Sequence, residues 1–306
     1  FIGSKLMKNK VLTNLIIKYA ANQKQFIGSK LFPPINVNSD SVTIPKWTED
    51  NIKIYNTYRA LRADDNFKET PFRDTIDVVL KEHSLSEKID KTEINEAIFN
   101  IKSESSRSSM DSILLEKEKR VADLVFNPDN YNTSNKETLT SDYLNKDTGV
   151  DPIEYILSKI EVVESKIGMK PNTLTISSKG WFYLRTAPGL KKYIKEYSEG
   201  DAIGTVKQLK ELLDIEQILI GRANYADAEG NIKPIYGNNL GIHYVGDPNN
   251  DANQRSFRKP TFGLTLQRRG YPYADEYEKE DKKNIVVRAN DKYELKVTGK
   301  DCGFLV

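Results

Sequence analysis

The stretch Asp151-Pro-Ile-Glu-Tyr-Ile-Leu-Ser-Lys-Ile-Glu-Val-Val-Glu-Ser-Lys-Ile-Gly168 carries the clearest folding signal in the chain. Aspartate, proline and glutamate at its start are preferred at a helix N-cap and first turn, and glycine is the usual residue beyond a helix end. Its isoleucine and valine side chains recur at the three- and four-residue spacing of one helix face. The stretch therefore predicts a helix that buries this face.

Two short apolar runs follow this helix, at 174–176 and 218–220, and each has the composition of a strand. Helical spacing in 178–185 and again in 206–213 predicts two further helices between them. Residues 151–246 are therefore predicted to form a compact helix-on-sheet unit, called the inserted unit below.

An extended segment lies well before the inserted unit. Apolar and polar residues alternate over 36–60, and the polar run 48–51 divides this stretch in two. The pattern predicts a long β-hairpin with a polar tip. A hairpin with so few large apolar residues is not stable alone, so it either folds back on its own domain or lies on another molecule.

Helical structure is predicted between 84 and 126. Ser84-Leu-Ser-Glu87 resembles a capping box, and apolar residues recur at helical spacing over 110–126. The serine-rich stretch 103–109 between them is interpreted as a polar, solvated linker.

The chain after the inserted unit is rich in predicted strands. They are expected at 262–266, 285–288, 293–297 and 304–306. Because these late strands need partners, we expect a second domain made of chain from before and after the inserted unit.

Charge is nearly balanced over the 306 residues, with a formal net charge of +2, which argues against a monomeric DNA-binding module. The first 39 residues differ, since they carry six lysines and no acid: Lys5, Lys8, Lys10, Lys18, Lys24 and Lys30. Such a basic arm suits phosphates or an acidic partner. A short helix is predicted over 11–21, with an apolar stripe formed by Leu12, Leu15, Ile16 and Tyr19.

Residues for catalysis or metal binding do not assemble into a recognisable motif. His83 and His243 have no second histidine or cysteine at ligand spacing, and Cys302 is expected to be a buried small hydrophobe. Phosphate-binding, nucleophile-elbow and zinc-protease motifs are missing, and 227–231 is better explained as a turn than as a calcium loop. We therefore expect no enzyme, no metal and no cofactor. No apolar run approaches the roughly 20 residues that span a bilayer, so no membrane partner is expected.

An ordered series of segments resembles the major capsid proteins of tailed double-stranded DNA bacteriophages, whose fold is shared with herpesvirus capsid floors and encapsulins. The segments that carry the resemblance are Phe26-Ile-Gly-Ser-Lys-Leu-Phe-Pro-Pro-Ile-Asn-Val37, Lys81-Glu-His-Ser-Leu85, Leu115-Glu-Lys-Glu-Lys-Arg-Val-Ala122, Lys170-Pro-Asn-Thr-Leu174, Ile218-Leu-Ile-Gly-Arg-Ala-Asn-Tyr225, Ala228-Glu-Gly230, Tyr236-Gly237, Lys259-Pro-Thr-Phe-Gly-Leu-Thr265 and Asp301-Cys-Gly-Phe-Leu305. Their order and spacing, over nearly the whole chain, make the resemblance specific.

The resemblance implies an α+β capsid fold with four parts, formed by five segments of the chain. They are an N-terminal arm (1–35), an extended β-hairpin loop (36–75), a peripheral domain with a spine helix and a long β-sheet (76–149 and 247–306), and an inserted axial helix-on-sheet domain (150–246). The spine helix is expected within 84–126.

The resemblance also implies which residues serve assembly. Contacts of the extended loop with another subunit are expected at Val42, Ile44, Trp47, Ile52, Ile54, Tyr55, Tyr58 and Arg59, with Trp47 as an anchor. Contacts near symmetry axes are expected at Lys191, Lys192 and Glu196. Lysines on the inner face are expected at Lys8, Lys10, Lys18 and Lys24, and charges of the spine helix at Glu116, Lys117, Glu118 and Arg120.

The implied function is a structural one. Copies of the chain would form the pentamers and hexamers of an icosahedral shell around double-stranded DNA, assembled in the host bacterial cytoplasm with scaffold, portal and decoration proteins as further partners. Two alternatives remain open: an encapsulin-type shell around a cargo enzyme, and an enzyme that uses carboxylates of the inserted unit.

Overall fold

A computed structural model describes residues 7–21, 25–67, 74–139, 151–187, 190, 206–246, 260–279 and 283–306. Helices in these ranges are α1 (Lys10–Ala21), α2 (Gly28–Leu31), α3 (Lys91–Glu96), α4 (Ile101–Val125), α5 (Pro152–Ile167), α6 (Ser178–Thr186) and α7 (Val206–Leu213). Strands are β1 (Met7–Lys8), β2 (Pro34–Val37), β3 (Ser41–Pro45), β4 (Thr75–Val79), β5 (Lys81–Asp90), β6 (Thr173–Ser177), β7 (Gln217–Gly221), β8 (Asn224–Ala226), β9 (Ile232–Pro234), β10 (Leu240–His243), β11 (Gly263–Arg268), β12 (Tyr273–Glu278), β13 (Asn284–Val297) and β14 (Gly303–Leu305). The predicted mixture of helix and sheet is confirmed.

A large six-stranded sheet is organised around the long strand β13. Strand β5 pairs with one edge of β13 over 284–293, while β12 and β11 pair in succession with the opposite edge. Strands β1 and β2 extend the sheet beyond β12 and β11. Chain from before and after the inserted unit therefore forms this sheet, as predicted. Residues 285–288 and 293–297 belong to one strand and not to two.

Helices α4 and α1 cover one face of the large sheet. Leu12 and Ile16 of α1 are buried in a cluster with Met110 and Ile113 of α4 and with Val287 of β13. The apolar stripe of the N-terminal arm is thereby docked on the helix of its own chain. Burial of each such side chain contributes roughly 1.5–3 kcal/mol.

The inserted unit has the predicted helix-on-sheet form. Strands β6 and β7 are parallel, with α6 and α7 in the chain between them, and β10 lies antiparallel beside β6. Helix α5 begins where predicted, because the Asp151 carboxylate accepts the backbone N–H of Ile153 at 2.8 Å, and it ends at Gly168 in a left-handed conformation with φ 67°. The small sheet is completed by β14, which pairs with β10. The final strand thus lies in the sheet of the inserted unit, and not in the peripheral part assigned to 247–306.

The hairpin of the extended segment differs from the prediction. Strand β3 pairs with β4, so that Val42 faces Val78 and Ile44 faces Ile76. Residues 52–60 contain no strand. The second strand of the hairpin is therefore β4 and not a stretch within 52–60, because the apolar alternation resumes only at 76–80, after a long connection. Ile44 and Val78 pack against strands β2 and β11 of the large sheet, in a third apolar cluster.

The start of the spine helix also differs from the prediction. Ser84–Glu87 lies inside β5, and the capping box is formed instead by Asp90 and Glu93 at the start of α3. Helix α4 begins at Ile101 and continues through 103–109, which is therefore helix and not a solvated linker. Three of its serines are buried: Ser105, Ser106 and Ser109. Their small size allows close packing, and the Ser106 hydroxyl donates to the Lys102 carbonyl oxygen at 2.9 Å.

Candidate assembly surfaces and the spine junction

The long connection between β3 and β4 begins with a buried tryptophan. Trp47 is 6% exposed within the main apolar core, and its backbone N–H donates to the Thr298 carbonyl oxygen at 3.1 Å. The prediction that Trp47 anchors on another subunit is therefore wrong, because its indole is already buried by its own chain. The same holds for Ile44, which is 1% exposed.

Beyond Trp47 the connection exposes large apolar side chains. Residues 48–67 are called the extended tip; its large exposed side chains are Ile52, Ile54, Tyr58, Leu61 and Phe67. Ile54, Leu61 and Phe67 are each at least 90% exposed. Apolar side chains concentrated in one exposed segment commonly mark an interaction site. Leu61 and Phe67 were missed because they lie past the stretch interpreted as a hairpin.

Three other residues predicted for this loop have partners or partial cover within the chain. Arg59 donates to the Asp65 carboxylate at 2.5 Å, and both side chains are largely exposed. An exposed ion pair of this kind adds little stability. Val42 on β3 and Tyr55 in the extended tip are half-buried.

Two groups of predicted contact residues are only partly described by the structure. Lys191, Lys192, Glu196 and Lys24 lie outside the described residues. Lys8, Lys10 and Lys18 are exposed, as a role in binding an external anion requires. The Lys8 ammonium lies 4.0 Å from the centroid of the Tyr273 ring, a cation–π contact worth about 0.5–1 kcal/mol at an exposed position.

The charged residues predicted on the spine helix occupy a crossing point of the chain. Residues 116–120 of α4 are called the spine junction. Its Arg120 donates to the Glu294 carboxylate at 2.5 Å, and its guanidinium lies 3.0 Å from His83 Nε2. Lys117 places its ammonium 4.4 Å from the centroid of the Tyr293 ring. These contacts hold the helix to β5 and β13 of the large sheet.

Glu118 points away from these partners and is buried, at 2% exposure. Its carboxylate accepts the backbone N–H groups of Ile27 and Gly28, each at 2.8 Å, and the Tyr236 hydroxyl at 2.5 Å. Burial raises the pKa of the Glu118 carboxyl, while the three hydrogen bonds and the nearby Lys117 ammonium oppose that rise. One carboxylate therefore joins the spine helix to the N-terminal arm and to the inserted unit.

The special position of Glu118 has a detectable signal in the sequence. Leu114 and Val121 lie four residues before it and three residues after it, so the carboxylate falls on the apolar stripe of the helix. A buried carboxylate needs hydrogen-bonding partners. Those partners come from distant parts of the chain and carry no local signal, so the prediction grouped Glu118 with the other charged residues of the helix.

A second polar contact is buried beside the inserted unit. His243 is 0% exposed, its Nε2 lies 2.7 Å from the Tyr131 hydroxyl, and that hydroxyl donates to the Val125 carbonyl oxygen at 2.5 Å. Burial lowers the pKa of His243 to about 3, so the ring is neutral at physiological pH.

Among the described residues no group of three His, Cys, Asp or Glu side chains is placed to hold a metal ion. None of the described helices is both long and apolar enough to cross a membrane.

This architecture matches the fold of solved phage-related and phage capsid proteins. The crystal structure of a phage-related protein from Bordetella bronchiseptica matches with a TM-score of 0.78, covering 98% of this chain and 97% of its own, at 24% identity. The capsid structure of cyanophage P-SCSP1u matches with a TM-score of 0.57, covering 100% of this chain and 90% of its own, at 12% identity. The fold predicted from the sequence is thereby confirmed.

Sequence similarity identifies the family. The major capsid protein of Burkholderia phage BcepMu is 36% identical over 97% of this chain and 94% of its own length. The chain belongs to the major capsid proteins of tailed bacteriophages. It is a structural protein of the virion capsid, where copies of it build the shell. No family model matches the sequence.

Proposed function

We propose that copies of this chain form the pentamers and hexamers of an icosahedral shell that encloses double-stranded DNA and assembles in the host bacterial cytoplasm. The extended tip is the observation that supports this proposal. It presents at least five large apolar side chains to solvent, whereas Ile44 and Trp47, which lie just before it in sequence, are buried in their own chain. Covering the tip with a second copy removes that apolar surface from water, at roughly 25 cal/mol per Å².

The extended tip is tested by the double substitution of Ile54→Ser with Leu61→Ser. Both side chains are almost fully exposed in the single chain, so we expect an unchanged melting temperature and a loss of closed shells. Negative-stain microscopy and sedimentation measure the particles. Ile232→Ser is the matched control, because Ile232 is 77% exposed on β9, outside the tip. Normal shells from the double variant would refute docking of the tip on a second copy.

The inserted unit takes the position around the symmetry axes in this proposal. Lys191, Lys192 and Glu196 are the expected contacts there, since a polar segment tolerates both five-fold and six-fold surroundings better than a rigid strand. Electron cryo-microscopy of assembled shells locates the segment directly. A position far from every axis would contradict this part of the proposal.

Portal and decoration proteins are further partners of the shell in this proposal. The N-terminal arm faces packaged DNA or an acidic scaffold protein. The arm carries four lysines that would neutralise DNA phosphates without recognising the base sequence: Lys8, Lys10, Lys18 and Lys24. Binding of DNA should therefore weaken as the salt concentration rises. Replacing all four by glutamine should lower the DNA content per particle. Unchanged DNA content together with unchanged assembly would remove any role for this charge.

A further inference from the structure

The buried carboxylate of Glu118 collects donors from two parts of the chain far from it in sequence. The N–H groups of Ile27 and Gly28 belong to the start of α2, just before the chain enters β2 and the extended segment. The Tyr236 hydroxyl belongs to the turn between β9 and β10 of the inserted unit. The chain that leads into the extended segment and the inserted unit therefore share one acceptor.

The surroundings of Glu118 are shaped for a carboxylate. A Cβ atom added at Gly28 would lie 2.6 Å from Glu118 Oε2 and 3.2 Å from Val121 Cγ2, so glycine allows the backbone N–H to approach. Tyr236 is in turn held from two sides. Its ring lies edge-on to Phe126 at 5.9 Å, and it packs against Gly221, where a Cβ atom would lie 2.3 Å from the ring.

We propose that Glu118 is a positioning residue for assembly, which fixes the direction in which the arm and the extended segment leave the spine helix relative to the inserted unit. The apolar core keeps the chain folded, and the three hydrogen bonds of Glu118 fix the angle between α2, α4 and the inserted unit. A buried acceptor that must satisfy three donors has a narrow range of geometries. The proposal goes beyond shell formation, because it concerns which shell geometry the single chain is set to form.

The first test uses the unassembled chain and does not depend on the proposed function. Glu118→Gln keeps the side-chain shape but removes one acceptor and the charge. We expect trypsin to cleave after Lys30 about fivefold faster than in the wild type, the effect of one lost hydrogen bond, because cleavage there requires α2 to open. Tyr236→Phe removes only one donor, and Gly28→Ala displaces the carboxylate without changing the charge, so both should act in the same direction.

The second test compares assembly products. The three variants should form shells of mixed diameter or incomplete shells at protein concentrations where the wild type forms one size, with melting temperatures lowered by no more than about 4 °C. Glu116→Gln is the matched control, since Glu116 lies on the same helix but its side chain is 53% exposed and pairs with His83. It should leave both the cleavage rate and the diameter unchanged.

Three outcomes would overturn the proposal. They are wild-type cleavage rates and diameters in all three variants, a change in Glu116→Gln as large as in Glu118→Gln, and an assembly defect that simply follows the loss of melting temperature. Failure of the wild type itself to form shells refutes the proposed function instead, and the cleavage experiment still decides the role of Glu118.

Discussion

The spine junction and the extended tip are both rich in side chains that need partners, yet they find them in different places. At the junction, Glu118 and Arg120 are bonded to segments of the same chain. In the tip, Ile54 and Leu61 are left in solvent. The difference shows which part of the molecule is completed by folding and which part is left for assembly. Substitutions in the core around the junction should therefore lower the stability of the single chain, whereas substitutions in the tip should leave that stability unchanged and prevent assembly.

Trp47→Ala should have the largest effect on stability, because Trp47 is buried in the main apolar core. It lies directly before the exposed tip in sequence. Removing a core tryptophan leaves a cavity and costs about 3–5 kcal/mol, so the unfolding free energy of the single chain should fall by that amount. Urea denaturation measures it. A change below about 1 kcal/mol would place Trp47 with the tip and break the distinction. Ile54→Ala is the control and should leave the unfolding free energy unchanged.

Acid should weaken the buried region through His243. Its pKa of about 3 in the folded chain lies below the ordinary value of about 6.5, so the unfolded chain binds the extra proton first. The contribution to stability is full above pH 6.5 and is lost as the pH falls toward 3, by about 1.4 kcal/mol per pH unit.

Urea denaturation at pH 7.5 and at pH 5 measures this slope on the unassembled chain. His243→Gln should flatten the part of the slope that His243 causes. His83→Gln is the matched control, because the His83 side chain is 13% exposed and lies between Glu116 and Arg120 at the spine junction. An unchanged slope in His243→Gln would show that other groups dominate the acid sensitivity.

Arg59→Gln should have the smallest effect on stability. Arg59 and Asp65 form an ion pair within the extended tip, and both side chains are at least half exposed. Such pairs contribute less than about 1 kcal/mol, so the melting temperature of the single chain should not change measurably. A clear loss of stability would mean that the tip has a structure of its own, which would weaken the contrast with the junction.

Local signals in the sequence predicted the inserted unit well. Asp151 and Gly168 mark the two ends of α5 by interactions within a few residues, and such interactions can be identified without knowing the rest of the fold. Helix α1 was likewise predicted from its own periodicity, and strands β6 and β7 from their short apolar runs.

The errors occurred where distant pairing outweighed a local preference. Ser84–Glu87 has the composition of a capping box, but it pairs with 287–290 of β13, and that ladder determines its conformation. Trp47 was assigned to an interface because its burying partners, among them Thr298, lie far along the chain. The partners of Glu118 are equally distant. A single sequence contains these partners but does not show which of them contact each other in the fold.

The position of β14 has a consequence for biosynthesis. This strand pairs with β10, and Leu305 also forms an isolated bridge to Lys136, so it fills the space between two segments that leave the ribosome much earlier. A nascent chain that already contains β6, β7 and β10 still presents the unpaired edge of β10 to its surroundings. Translation must proceed past residue 305 before that edge is closed. The inserted unit therefore cannot complete its sheet from its own residues, and a chain cut before β14 would leave the edge of β10 open.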